Sequence, residues 1–191
     1  THCRHSRAYP TEWCIDELEA SPTCADYCAF TAAVCADERA VYESPEQCEA
    51  VCAELSPGTF ADTVENTIGC RYYHTNSSLL APDAHCAHTG PGGDGHCGED
   101  DPDTGKTGSC ESYCKLLEAA CEAEFSNAYT SQDDCHTQCS DLPPSFGVKK
   151  DQGYTVATAT GATLACRLLN VSRALLDSEA CAAAMGGGEC E

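Results

Sequence analysis

The stretch Cys24-Ala25-Asp26-Tyr27-Cys28-Ala29-Phe30-Thr31-Ala32-Ala33-Val34-Cys35 decides the fold. A helix turns about 100° per residue, so positions i, i+4 and i+11 share one face. Cys24, Cys28 and Cys35 therefore form a stripe on a single helix. Cys48 and Cys52, again i and i+4, put a second sulfur pair on a following helix. Two such helices packed antiparallel bring the first sulfur of one to the second of the other. The spacing predicts Cys24–Cys52 and Cys28–Cys48. Cys35 then lies past the second helix, free to reach Cys70, and Cys86–Cys97 closes the end of the unit.

The whole order recurs. Cys110, Cys114 and Cys121 repeat the first stripe with Leu117 on the same face, and Cys135 and Cys139 repeat the second pair. Each set is followed by a Cys-Arg pair, Cys70-Arg71 or Cys166-Arg167, and then by two more cysteines. The matching pairings are Cys110–Cys139, Cys114–Cys135, Cys121–Cys166 and Cys181–Cys190. Ordered self-similarity of this kind is the mark of internal duplication. The fold class expected is all-α, small and disulfide-rich: two tandem helical repeats, each with four intra-repeat disulfides.

Four segments follow. Residues 1–20 form an N-terminal arm clipped by Cys3–Cys14, with Tyr9 and Trp13 at an apolar tip that either covers the first repeat or meets another subunit. Residues 21–98 form the first repeat and 109–191 the second, with an acidic, Gly- and Pro-rich linker at 99–108. Ser21-Pro22 and Ser44-Pro45 read as helix starts, Ser N-cap before Pro. The first helix is expected to reach about Glu38, and a third to run from about Asp62 to Leu80. In the second repeat the first helix is expected over about 109–124. The segment Thr155–Thr160 fits either a short strand or a helix extension.

Composition fixes the compartment. Cysteine makes up 18 of 191 residues, far above ordinary usage, while Leu, Ile, Val and Phe are scarce. Cross-links must then supplement a thin apolar core. Cys-x3-Cys in even sets favours disulfides over zinc thiolates, which usually show Cys-x2-Cys or mixed Cys and His. Such a chain belongs in an oxidising setting, so the expectation is a secreted protein, extracellular or at the cell surface. The chain opens at Thr1 without a basic-apolar leader, as expected where a signal peptide has been removed or is not shown. The formal charge of −21, from 31 acids against 10 bases, disfavours nucleic acid and anionic membrane surfaces and attracts divalent cations or basic partners. No apolar run is long enough to cross a bilayer, so no membrane insertion is expected.

The blocks Asn66-Thr67-Ile68-Gly69-Cys70-Arg71-Tyr72-Tyr73-His74 and His85-Cys86-Ala87-His88-Thr89-Gly90-Pro91 resemble cysteine-rich repeats of uncharacterised secreted proteins from environmental microbes. The likeness covers about 24–98 and, more loosely, the second repeat, where Asn170 stands for His74 and Ala180 for His85. It implies a secreted, disulfide-bonded module.

Candidate chemistry is limited. His74, His85, His88 and His96 fall together in the first repeat, as zinc or copper ligands or as ordinary surface histidines. Asp94, Asp100, Asp101 and Asp103 offer flexible oxygens of the kind calcium takes, though not at EF-hand spacing. Asn76 and Asn170 stand in Asn-x-Ser sequons and could carry glycans. No nucleophile elbow, zinc-protease motif or phosphate loop is present, so no catalytic residue is assigned and no enzyme is expected. The leading expectation is a self-associating subunit of an extracellular fibre or surface layer. The competing one is a secreted metal- or ligand-binding module using the histidines or the acidic linker. No cofactor is required, with calcium or a transition metal as the candidates.

Overall fold

A computed structural model describes residues 19–98, 108–143 and 153–191. The Cys3–Cys14 clip, Tyr9 and Trp13, and the calcium candidates Asp100, Asp101 and Asp103 lie outside the described residues.

The described chain is helical, and its only β-type pairing is an isolated bridge between Ser56 and Thr67. Helix α1 spans Cys24–Val34, α2 Pro45–Glu54, α3 Ile68–Ser78 and the short α4 Pro82–His85. The later part supplies α5 Gly108–Ala120, α6 Glu122–Ala128, α7 Gln132–Ser140, α8 Leu164–Ala174 and α9 Cys181–Ala184. Hydroxyl N-caps start the main helices. Thr23, Ser44, Thr67, Ser131 and Thr163 each accept from the backbone N–H three residues on.

Several boundaries move from the sequence reading. The first helix starts after Thr23, because it is Thr23 and not Ser21 whose side chain meets the helix N–H groups. Ser21 instead donates through Oγ to the Gly58 carbonyl. The helix ends at Val34, and Asp37–Arg39 is a separate 3-10 turn entered through Asp37 at φ 54°. The third helix starts only at Ile68, because Asp62 is spent on the preceding loop, where it accepts from Thr59 and Thr67. The segment expected as one helix over 109–124 breaks at Cys121, whose φ of −133° interrupts the ladder between α5 and α6. Val156–Thr158 is a 3-10 turn closed by reciprocal Thr155 and Thr158 hydrogen bonds, so neither a strand nor a helix extension forms.

Sixteen cysteines form eight bridges. Cys24–Cys52 and Cys28–Cys48 tie α1 to α2, and Cys110–Cys139 and Cys114–Cys135 tie α5 to α7. The remaining pairings differ from the expected Cys35–Cys70, Cys86–Cys97, Cys121–Cys166 and Cys181–Cys190. The bonds present are Cys35–Cys86, Cys70–Cys97, Cys121–Cys181 and Cys166–Cys190. The cause is the direction of α3. Phe30 faces Tyr72 and Thr31 Oγ1 lies 3.0 Å from Thr75 Oγ1, so α1 and α3 advance in the same sense. Cys35 therefore arrives at the far end of α3, more than two turns or about 12 Å from Cys70, beyond disulfide reach. Cys86, just past that end, takes its place.

No bridge joins the two sets of cysteines, yet they share one core. Tyr27, Val51, Leu55 and Ile68 pack in the same buried cluster as Tyr113, Leu116, Leu117, Leu168, Leu169 and Val171. Burial of large apolar side chains at roughly 1.5–3 kcal/mol each makes this core a major contributor beside the bridges.

Candidate metal centre

Helix α3 presents His74 one turn after Cys70 and Arg71, on its buried side. Helix α4 ends on His85, and the 3-10 turn Cys86–Thr89 that follows carries His88. His96 follows the tight turn Gly93–Gly95. Two bridges fix these pieces: Cys35–Cys86 anchors the α4 side and Cys70–Cys97 anchors the His96 side. Gly93 permits the tight turn. At φ 68°, an added Cβ there would sit 2.8 Å from the Cys97 Cβ and 3.3 Å from Arg71 Nη2.

Arg71 holds the loop from below. Its fully buried guanidinium donates to the carbonyls of Gly90 at 3.0 Å, Pro91 at 2.9 Å and Thr67 at 3.1 Å, and to Ser112 Oγ at 3.1 Å. Ser112 Oγ in turn donates to Asn66 Oδ1 at 2.9 Å. Helix α5, from the other half of the chain, thus buttresses the histidine-bearing loop. Ser109 does the same at Gly92, donating to its carbonyl at 3.1 Å.

The result is convergence of ring nitrogens. His74 Nδ1 lies 3.2 Å from His85 Nδ1 and 3.2 Å from His88 Nδ1, and one nitrogen from each of the three falls within 4.8 Å of the others. His96 packs its ring against His88 at a tilt of 41°, with centroids 3.8 Å apart, but is not among the three converging rings. His74 and His88 are buried, His85 is half-buried and His96 is exposed.

Hydrogen bonding alone does not account for this arrangement. His74 Nδ1 carries one proton or one lone pair, and it faces two other Nδ1 atoms at the same short distance. Its buried Nε2 makes no hydrogen bond of full geometry among the described residues, the Thr63 backbone being the one weaker hydrogen-bonding contact that acts on the ring. The Thr63 backbone favours the charged ring, but only partly offsets desolvation. A metal ion, by contrast, fits. Nitrogens held at about 2.0–2.1 Å around a tetrahedral or trigonal centre stand about 3.3–3.6 Å apart.

The electrostatics point the same way. Burial, reinforced by the charges of His85 and His96, pushes His74 down to about 4. Burial and the other three histidines push His88 down to about 3. Burial first, then His96, also lowers His85. All three are neutral imidazoles at neutral pH, the form that binds metals. The sulfurs of Cys70 and Cys97 also approach His74 within 4.8 Å, but they are bonded to each other and offer no thiolate.

The second set of cysteines places different residues at the corresponding points. Counting from Cys166, Cys181 and Cys190, Asn170 stands for His74, Ala180 for His85, Ala183 for His88 and Glu189 for His96. There Arg173 donates through Nη1 to Asn170 Oδ1 at 3.1 Å and to Glu189 Oε1 at 2.5 Å. A guanidinium is thus the cation that bridges the counterparts of His74 and His96.

The other candidates fare differently. Asp94 joins no cluster of ligand atoms among the described residues. Asn170 is 2% exposed, and its Nδ2, the atom a glycan would take, donates to the Cys166 carbonyl at 3.0 Å and lies 3.3 Å from Cys190 Sγ. It has no room for a glycan in the folded chain, which corrects that expectation. Asn76 sits half-buried within α3, with Nδ2 donating to the Tyr72 carbonyl at 3.1 Å. Sequence spacing put the four histidines in one segment, of which the structure brings three to one point, and it did not single out Arg71 as the group that holds their loop. The Cys-Arg pair was the available signal.

A family model described as the BfoA family C-terminal domain matches residues 10–103, a span that contains all four histidines and stops short of α5. No curated protein and no solved structure matches the chain.

Proposed function

We propose that the chain is an extracellular, disulfide-braced module that binds a transition-metal ion through His74, His85 and His88. The observation that carries this reading is the pair of 3.2 Å separations at His74 Nδ1, which one shared proton cannot satisfy and one shared ion can. The setting supports it. Eight disulfides suit an oxidising environment and hold the donors rigidly, so little ordering cost accompanies binding. No helix among the described residues is long and apolar enough to cross a membrane. Metal analysis of the native protein, followed by titration of the metal-free form, tests the reading. One ion per chain, lost in His74→Asn with the disulfides intact, is the expected result. No uptake of zinc or copper by the folded protein would end it.

A second reading, a self-associating subunit of an extracellular fibre or surface layer, draws on a different observation. Leu79 and Leu80 at the end of α3 are 53% and 78% exposed, and Leu176 at the end of α8 is 56% exposed. Leu80 and Leu176 stand ten residues after Cys70 and Cys166, so both halves present a leucine at the same point. Light scattering of the wild type against Leu80→Asp and Leu176→Asp tests this. Assembly that the substitutions abolish is expected, and a concentration-independent monomer overturns it.

A further inference from the structure

We infer that the ion this site is built for is copper in its monovalent state, a conclusion that rests on the metal-binding reading above. The first argument is charge. Among the described residues, the groups that converge here contain histidines and a disulfide, and no carboxylate joins them. Arg71, a buried cation, adds a smaller field that also opposes a proton on His74. The cost of burying an ion scales with the square of its charge, so a divalent ion costs about four times as much as a monovalent one here. With three neutral ligands and an arginine beneath them, no ligand among the described residues offsets the second charge.

The second argument is coordination. Zinc sites close with four ligands or keep a fourth position for water. Here three nitrogens converge, and His96, the obvious fourth ring, lies tilted against His88 instead. A filled d shell with a single positive charge accepts three nitrogens without a fourth. Imidazole is among the donors that copper accepts. The third argument is access. His85 is half-buried and His96 exposed, so an ion reaches the inner pair, His74 and His88, past those two rings without opening the core.

The test compares three ions on the folded, fully oxidised chain, after mass analysis confirms that no free thiol remains to bind copper. Cu(I) is titrated anaerobically under ascorbate against a chromophoric Cu(I) chelator, and Cu(II) and Zn(II) against their own competing chelators. One Cu(I) per chain is expected. Cu(I) should bind at least about 100-fold more tightly than Cu(II), which raises the potential of the bound couple by about 120 mV over the aqueous one. His88→Gln and, separately, His85→Gln should each abolish stoichiometric Cu(I) uptake while the disulfide map stays unchanged. Two substitutions guard against one that disturbs folding. Zn(II) or Cu(II) held at these histidines as tightly as Cu(I) would overturn the inference and leave the metal-binding reading standing. If none of the three ions is held, both fall.

Discussion

Arg173 grips Glu43 across the molecule: Nε donates to Oε2 at 2.8 Å and Nη2 to Oε1 at 2.7 Å. The two residues belong to different cysteine sets, so this bidentate pair does between the halves what no disulfide does. The same guanidinium also holds Asn170 and Glu189. Both partners are about one-third exposed, so solvent screens part of the attraction. Arg173→Leu should therefore cost about 1–2 kcal/mol, read from the midpoint of urea unfolding. The sign of the pH effect follows from Glu43, whose carboxyl is held below its usual range, chiefly by its hydrogen bond from Arg173. The pair contributes fully above the ordinary carboxylate range and is lost as pH falls through the lowered value. An Arg173→Leu midpoint equal to that of wild type at pH 7 would show that the shared core and the Arg71–Ser112 and Ser109–Gly92 hydrogen bonds join the halves without help from this pair.

Arg71 is the more demanding position. Its side chain is fully buried, desolvation lowers its pKa, and it satisfies three carbonyls and one hydroxyl at once. Arg71→Met would remove four donor contacts from buried acceptors, of which the Thr67 and Gly90 carbonyls keep the backbone N–H groups of Arg71 and Gly93. The expected loss is about 3–5 kcal/mol, at the upper end for single substitutions. Ser112→Ala removes one of the four contacts and should cost about 1 kcal/mol. The informative readout is the metal titration of Ser112→Ala, since that variant keeps every histidine. Weakened binding with only a small loss of stability is expected if α5 positions the loop through Arg71.

The sequence made the i, i+4 cysteine pairs legible because helix geometry is local: four residues fix a face whatever surrounds it. The pairings Cys24–Cys52 and Cys110–Cys139 follow from that alone once two helices lie antiparallel. Cys35 and Cys70 were a different problem, because their separation depends on which way α3 runs beside α1, and no spacing encodes that. The Thr31–Thr75 and Phe30–Tyr72 contacts decide it, and both are tertiary. The histidines show the same division. Their crowding between residues 74 and 96 was visible in the chain. That three of them face inward onto one point, while His96 packs outside, follows from the Cys35–Cys86 and Cys70–Cys97 bridges that the sequence reading paired otherwise.

Those bridges differ in what they constrain. Cys35–Cys86 closes a loop with a sequence separation of 51, whereas Cys28–Cys48 closes one of 20. Loop-closure entropy assigns about 4 kcal/mol to the longer and about 3 kcal/mol to the shorter. The double substitution Cys35→Ala/Cys86→Ala should therefore destabilise more than Cys28→Ala/Cys48→Ala, by roughly 1 kcal/mol, in urea unfolding of otherwise oxidised protein. It should also weaken metal binding, because Cys86 sits between His85 and His88. Equal metal affinity in the two variants would mean that Arg71 holds the loop without help from the bridge.

The histidines carry a pH signature in the metal-free protein. In the unfolded chain they titrate near 6.5, whereas the fold holds His74 at about 4 and His88 at about 3. Between those limits the unfolded state binds protons that the folded state refuses. Stability is therefore intact above the unfolded value and falls as pH drops from about 6.5 towards 4, by at most about 1.4 kcal/mol per pH unit for each histidine. Carboxylates contribute their own acid sensitivity, so the measurement is a comparison. Urea midpoints of the wild type and of His74→Asn/His88→Gln are followed over the same range. The double variant should lose the part of the slope that lies above the carboxylate range, between pH 6.5 and 5. Parallel profiles in that window would mean that the buried rings accept protons as readily folded as unfolded. The three rings would then be neutral donors only above about pH 6.5, like any exposed histidine, and burial would not be what keeps protons off them.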